Sequence, residues 1–142
     1  MKLMKKMLIA RPNFDECTYY LHEWSGVLIE EARNKGFQVT DVEGEAVIEK
    51  NVVGKLNAIK PELVLLNGHG SKRAYCGHHM EEVLNCGTSE ALNGTIAYVR
   101  ACACLEELGS EAVSGGCKAF IGYDKPFWIP LQNEYAARPL QD

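Results

Sequence analysis

A three-layer α/β/α sandwich around a mostly parallel sheet is the fold class the sequence predicts, and three observations predict it. Short apolar runs such as Met7-Leu8-Ile9-Ala10 and Leu63 to Asn67 are apolar at successive positions, as strands covered on both faces are. Segments of helical period separate these runs. Glycine, proline and asparagine punctuate the boundaries at the places where helices and strands stop. The resulting order, β-α-β-α-β-loop-β-α-β, calls for parallel strands joined by right-handed crossovers.

The elements follow in order. Lys5 to Ala10 is the first strand, broken by Arg11-Pro12-Asn13-Phe14-Asp15, where Asn13 or Asp15 caps what comes next. A helix from about Cys17 to Lys35 places Leu21, Trp24, Leu28 and Ala32 on one face, which is the expected core face. Gly36 ends it. Phe37 to Val42 is a second strand, and Glu43 to Lys50 has no clear preference. Asn51 caps a helix to Ile59, with Val52, Leu56 and Ile59 inward, and Pro61 closes it. The strand Leu63 to Asn67 follows, then a loop from Gly68 to Gly94 with a small hairpin and a helical turn. Thr95 to Arg100 is a strand, Glu106 to Gly116 holds a short helix, and Cys117 to Gly122 is the last strand. The tail from Tyr123 to Asp142 contains Pro126, Pro130 and Pro139. It reads either as a cover over the site or as the start of an element that continues beyond this chain.

A chain of 142 residues, 1–142, is most simply one domain with a core of its own. Its net charge of -4, with no basic stripe, argues against nucleic acid as a main partner. No apolar run reaches membrane-spanning length. The start MKLMKKMLIA has too short an apolar stretch before Arg11-Pro12 for a secretion signal, so a cytoplasmic address is expected. Six cysteines in that setting are expected to be reduced, with Cys17 and Cys117 read as small core residues.

The chemistry concentrates at two strand ends. One strand runs into Gly68-His69-Gly70 and the other into Ala101-Cys102. In an open parallel sheet, reactive groups gather beyond the carboxyl ends of the strands, so neighbouring strands would bring a base and a thiol to one crevice. The segments LVLLNGHGS, IAYVRAC and LGSEAVSGGCKAFIGYD together resemble the caspase-like cysteine peptidases, in their prokaryotic branch related to CHAT peptidases and gingipains. That resemblance implies a caspase-like fold and a cysteine endopeptidase. His69 would be the general acid and base, Cys102 the nucleophile, and the backbone N–H groups of Gly70 and Cys102 the oxyanion hole. Cys104 is the alternative nucleophile. By the same resemblance, the residue two before the nucleophile lines the specificity pocket. Arg100 stands there and Arg11 ends the first strand near the same mouth, and two guanidiniums favour an acidic residue before the cut; Asp124 is counted with them as substrate-binding. The competing reading pairs Arg100 with Asp124 or Glu106.

The expected partner is a peptide or protein substrate, together with a regulatory protein or further domain. No cofactor and no metal are called for. Cys76, His78, His79 and Cys86 are types zinc accepts, but their spacing matches no common structural site. Gly68 to Arg73 resembles a dinucleotide loop only until Arg73 takes the place of its third glycine. Two non-peptidase readings stand beside the first: a non-catalytic binding or scaffold module, and an α/β protein that binds a small anion at Gly68 to Arg73. Phe127 and Trp128 are placed either along the groove or under the tail.

Overall fold

A computed structural model describes residues 5–126 of the chain. The elements are β1 (Lys6–Arg11), α1 (Glu16–Asn34), β2 (Gln38–Glu43), α2 (Glu49–Ile59) and β3 (Leu63–Asn67). Then come β4 (His69–Gly70), β5 (Ala74–Cys76), β6 (Glu82–Asn85), β7 (Ile96–Arg100), α3 (Ser110–Ser114) and β8 (Ala119–Ile121). Among the described residues, five strands form one parallel sheet in the order β2-β1-β3-β7-β8. With α1 on one face and α2 and α3 on the other, the three-layer α/β/α sandwich with a parallel sheet is the fold.

Side-chain alternation along each strand feeds both faces. Leu8, Ala10, Val64, Leu66, Ala97 and Val99 join Val52, Leu56, Leu108 and Ala112 in the larger core. Ile9, Leu65 and Tyr98 meet Ile29 of α1 on the other side. The segment after β3 folds back as a small antiparallel sheet, β4-β5-β6, which plants Tyr75, Val83 and Leu84 in the larger core. The elaborated loop is therefore a folded hairpin layer rather than an open excursion.

The first turn of α1 is closed by a capping box: Thr18 N donates to Asp15 Oδ1 at 2.9 Å, and Asp15 N donates to Thr18 Oγ1 at 3.1 Å. Gly36, at φ +91°, ends the helix as expected. The inward face differs from the one periodicity picks. Thr18, Leu21, Ser25 and Ile29 are buried, whereas Leu28 is 43 % exposed and Trp24 lies half-buried against Tyr20. Polar residues win that face because they have polar partners on the sheet, described below. Likewise α2 begins two residues before Asn51, whose Nδ2 instead donates to Ala46 O at 2.9 Å. Before α3, Leu105–Gly109 winds as a π-helical turn, a form that often marks functional sites.

Candidate functional site at the carboxyl edge of the sheet

From β1 the chain moves outward to β2 on one side and crosses to β3 on the other, so the order reverses between β1 and β3. Ligand crevices in open parallel sheets lie at such a switch point, beyond the carboxyl ends of the strands. The two loops that flank it meet: His69 Nε2 lies 2.6 Å from Asp15 Oδ2. Phe14 sits among three imidazoles, with ring centroids 5.7 Å from His69, 5.9 Å from His78 and 5.5 Å from His79. His78 and His79 stack at 4.0 Å, on a turn where His79 and Met80 both take left-handed φ values of 52° and 66°.

Burial alone would raise the Asp15 carboxyl, but the Thr18 amide and hydroxyl and the His69 imidazole outweigh it and hold the group below its ordinary value. A carboxyl lowered on folding contributes stability above its unfolded pKa of about 4 and loses it as pH falls through the folded value. Asn caps a helix as well as Asp does. The Asp15→Asn variant is therefore expected to be less stable by about 0.5 kcal/mol at neutral pH, the size of a screened pair. That gap should close as pH falls below about 4 in urea titrations.

On the α1 face, the three central strands end in a polar row: Arg11 on β1, Asn67 on β3 and Arg100 on β7. Arg11 is fully answered. Its Nε and Nη2 grip Asp41 at 2.8 and 2.6 Å, Nη2 also reaches Glu43 at 2.8 Å, and Nη1 donates to His22 O at 3.2 Å. The hydrogen bond to Asp41, above all, raises its pKa against the cost of burial. Its charge is matched by two carboxylates of β2.

Arg100 is different. Nε donates to Asn67 Oδ1 at 2.8 Å and Nη2 to Ser25 Oγ at 2.7 Å, both neutral acceptors. Asn67, completely buried, also donates to Leu21 O and to Ser25 Oγ, and its own carbonyl accepts from the buried Tyr75 hydroxyl. Neither Asp124 nor Glu106 pairs with Arg100, and among the described residues no carboxylate forms an ion pair with it. Burial accordingly lowers its pKa, with Tyr98 and Tyr123 offsetting part of the effect; those two hydroxyls meet at 2.9 Å.

β3 and β7 are paired neighbours, so His69 and Cys102 follow adjacent strand ends. The glycines around His69 have a packing reason. A Cβ on Gly68 would fall 2.3 Å from Cys76 O. One on Gly70 would fall 2.5 Å from Cys104 Sγ and 2.8 Å from Cys102 O. No side chain fits, because β5 of the hairpin fills the space at Gly68 and the turn after β7 fills it at Gly70. Cys104, the alternative nucleophile, is buried, its Sγ 3.4 Å from both Ala74 O and Cys102 O, and burial pushes its pKa up to about 12. Ala103, between the two cysteines, is held at φ 60°.

In the loop Gly68 to Arg73, Lys72 O accepts from Leu108 N, Ser71 N donates to Ala74 O, and Arg73 reaches Glu107 at 3.3 Å. Among the described residues, no group of three or more His, Cys, Asp or Glu side chains is arranged to hold a metal ion. No described helix is long and apolar enough to cross a membrane. Phe127 and Trp128 lie outside the described residues. Sequence reasoning passed over Phe14, Ser25 and Asn67. Asn67 alone carried a signal, as a polar residue closing an otherwise apolar strand.

No family model and no curated protein matches the chain. Similar solved structures include a CheY-like response regulator receiver domain protein from Methanospirillum hungatei, 17% identical, TM-score 0.49, covering 84% of this chain and 82% of that one. Another is a response regulator protein from Burkholderia pseudomallei with a phosphorylated aspartic acid, calcium ion and citrate, 14% identical, TM-score 0.49, covering 96% of this chain and 66% of that one. A third is the signal receiver domain of a NarL response regulator from Mycobacterium tuberculosis, 13% identical, TM-score 0.47, covering 84% and 83%. Similarity at this level transfers no activity. These three structures are response regulators or their receiver domains and not caspase-like peptidases, which corrects the family expected from sequence. The cysteine endopeptidase and its hydrolase chemistry are corrected with it. Of the sequence readings, the non-catalytic binding module is the one retained.

Proposed function

We propose that this chain is a binding module that takes a carboxylate of a protein partner at the carboxyl edge of its sheet, with Arg100 as the recognising charge. One observation carries the reading: a half-buried guanidinium held only by neutral acceptors among the described residues. Buried charges are ordinarily paired, because an unpaired one forfeits its hydration without return. Arg11, two strands away across β3, illustrates the ordinary solution with two carboxylates. At Arg100 the missing anion is supplied by the partner. A single positive charge with Asp15 at the same edge favours a monoanionic carboxylate over a phosphate dianion, which the aspartate would repel. Ser25 and Asn67 orient the guanidinium from below, and the tyrosine pair flanks it.

The test is calorimetric titration of the whole chain with an N-acetylated peptide carrying a central aspartate, against the same peptide with asparagine. A charge-assisted hydrogen bond contributes about 1.5–3 kcal/mol, so the asparagine peptide should bind about ten- to a hundredfold more weakly. Arg100→Gln, which still reaches Asn67, should remove the difference and leave the fold intact by circular dichroism. Equal binding of both peptides to the wild type, or undiminished discrimination in the variant, would sink the reading.

A further inference from the structure

The two faces of the sheet are covered unequally. Five strands about 4.8 Å apart make a sheet about 19 Å wide, and one helix with its side chains covers about 10–12 Å of that width. On one face α2 and α3 share the larger core. On the other, among the described residues, α1 packs on β2, β1 and β3. Beside α1 lies an open groove of about 340 Å³ over β3, β7 and β8. Leu65, Ile96, Tyr98 and Ile121 line it from the sheet, and Leu28 and Phe37 from its flank. Leu28, Ile96 and Ile121 are 43 %, 39 % and 53 % exposed. Strands of a parallel sheet are ordinarily covered on both faces, and a contiguous apolar surface marks a place where something packs.

The chain itself arrives at this face. After β8, Leu105 N donates to Tyr123 O and Ala103 N donates to Lys125 O, each at 3.1 Å, so the segment lies along the turn after β7 at the carboxyl edge. The Tyr123 hydroxyl meets that of Tyr98, which packs with Ile9, Leu65 and Ile29 on the α1 side. Residues 127–142 follow directly and carry Phe127, Trp128, Ile129, Leu131, Tyr135 and Leu140. A strand as long as β7 spans about 17 Å, and sixteen residues reach about 24 Å even at the rise of a helix. The rim calls for no charged occupant, because Lys35 pairs with Glu31 at 3.5 Å one helical turn away. We infer that residues 127–142 lay their apolar side chains in this groove and close the sheet on the α1 side.

Tethering decides between this segment and a separate molecule. A segment joined to the chain at Lys125 meets the groove at an effective concentration in the millimolar range, about what a short linker gives, so it fills the site ahead of a second copy. Leu28, which helical period turns inward, then gains its cover from this segment. The inference does not rest on Arg100, which ends β7 beyond the groove.

The experiment uses the whole chain with Trp24→Phe, which leaves Trp128 as its single tryptophan. Emission and acrylamide quenching of Trp128 are read in the native chain and in urea, with molecular mass followed by sedimentation. The expected result is a monomer whose Trp128 is protected and emits to the blue of the urea-unfolded chain. Ile121→Asp should shift docking about tenfold or more toward the undocked segment, since one apolar side chain loses its burial. Quenching should then rise toward its value in urea while circular dichroism keeps the native spectrum. Ile121→Ser, at a position already more than half exposed, gives the same reading if the aspartate variant fails to fold. A native Trp128 that quenches as it does in urea would overturn the inference. So would protection that survives Ile121→Asp in a folded chain, or protection that appears only in dimers, where a second copy fills the groove.

Discussion

Asn67→Leu is expected to destabilise the fold by about 3 kcal/mol, read as a shift in the denaturant midpoint at unchanged slope. Leucine matches asparagine in shape, so no cavity forms. What is lost is the set of hydrogen bonds that the amide makes inside a buried site. Arg100 Nε loses its acceptor at 2.8 Å, and the Nδ2 donations to Leu21 O and Ser25 Oγ disappear. Hydrogen bonds to charged groups carry about 1.5–3 kcal/mol each, and stranding a buried cation costs more than removing a neutral pair. Asn67→Asp separates stability from recognition. Its carboxylate faces the Arg100 guanidinium at the same position, so pairing offsets part of the lost donation. The same carboxylate occupies the charge that the proposed partner needs, and affinity for the aspartyl peptide should fall at least tenfold while the chain stays folded. If Asn67→Asp binds that peptide as well as the wild type does, Arg100 is not the recognising group.

The second large effect comes from Gly70→Ala, with an expected loss of about 2–4 kcal/mol from overpacking. The new methyl group would lie 2.5 Å from Cys104 Sγ, 2.8 Å from Cys102 O and 3.1 Å from Ala101 Cβ. All three belong to the turn after β7, and Ala101 Cβ and Cys102 O are fixed to its backbone, which the sheet and the contacts to Tyr123 and Lys125 hold in place. Neither can withdraw without moving a strand. Cys104→Ala in the same chain removes the closest sulfur and should recover part of the loss, leaving the clash with Cys102 O. A double-mutant cycle should therefore give a coupling of about 1 kcal/mol or more between positions 70 and 104. A cost below about 0.5 kcal/mol for Gly70→Ala would show that the strand-Gly-His-Gly pattern is not required by packing.

That pattern explains why the sequence misled about function. Glycine on both sides of a histidine, followed by a strand ending in Ala-Cys, looks like a catalytic layout because active sites need close backbone approach. Close approach is present, but at Gly68 it is β5 of the hairpin and at Gly70 the turn after β7 that demands it. A short motif records that a side chain is forbidden and says nothing of which atom forbids it. The same limit applies to Arg11. As a residue it suited a carboxylate, and it does bind two, but both belong to β2.

Local order was legible in the sequence. Strands β1, β3 and β7 are apolar runs read to within a residue of their ends, a cap at Asn13 or Asp15 and the Gly36 stop follow from backbone chemistry, and the alternation of elements dictates the parallel three-layer sandwich. These features depend on neighbours within a few positions along the chain. Which partner each polar group finds was decided only by tertiary structure. Asp15 meets His69 across 54 positions, Arg11 meets Asp41 across 30, and Ser25 meets Arg100 across 75. Those meetings rest on strand register and on the rotation of α1. The rotation turns Ser25 inward and leaves Leu28 exposed, because a buried guanidinium and amide on the sheet need a hydroxyl more than the helix needs another leucine. Apolar burial has no direction and can be read from a pattern; hydrogen bonds and charges have both direction and partner, and the folded chain alone assigns them.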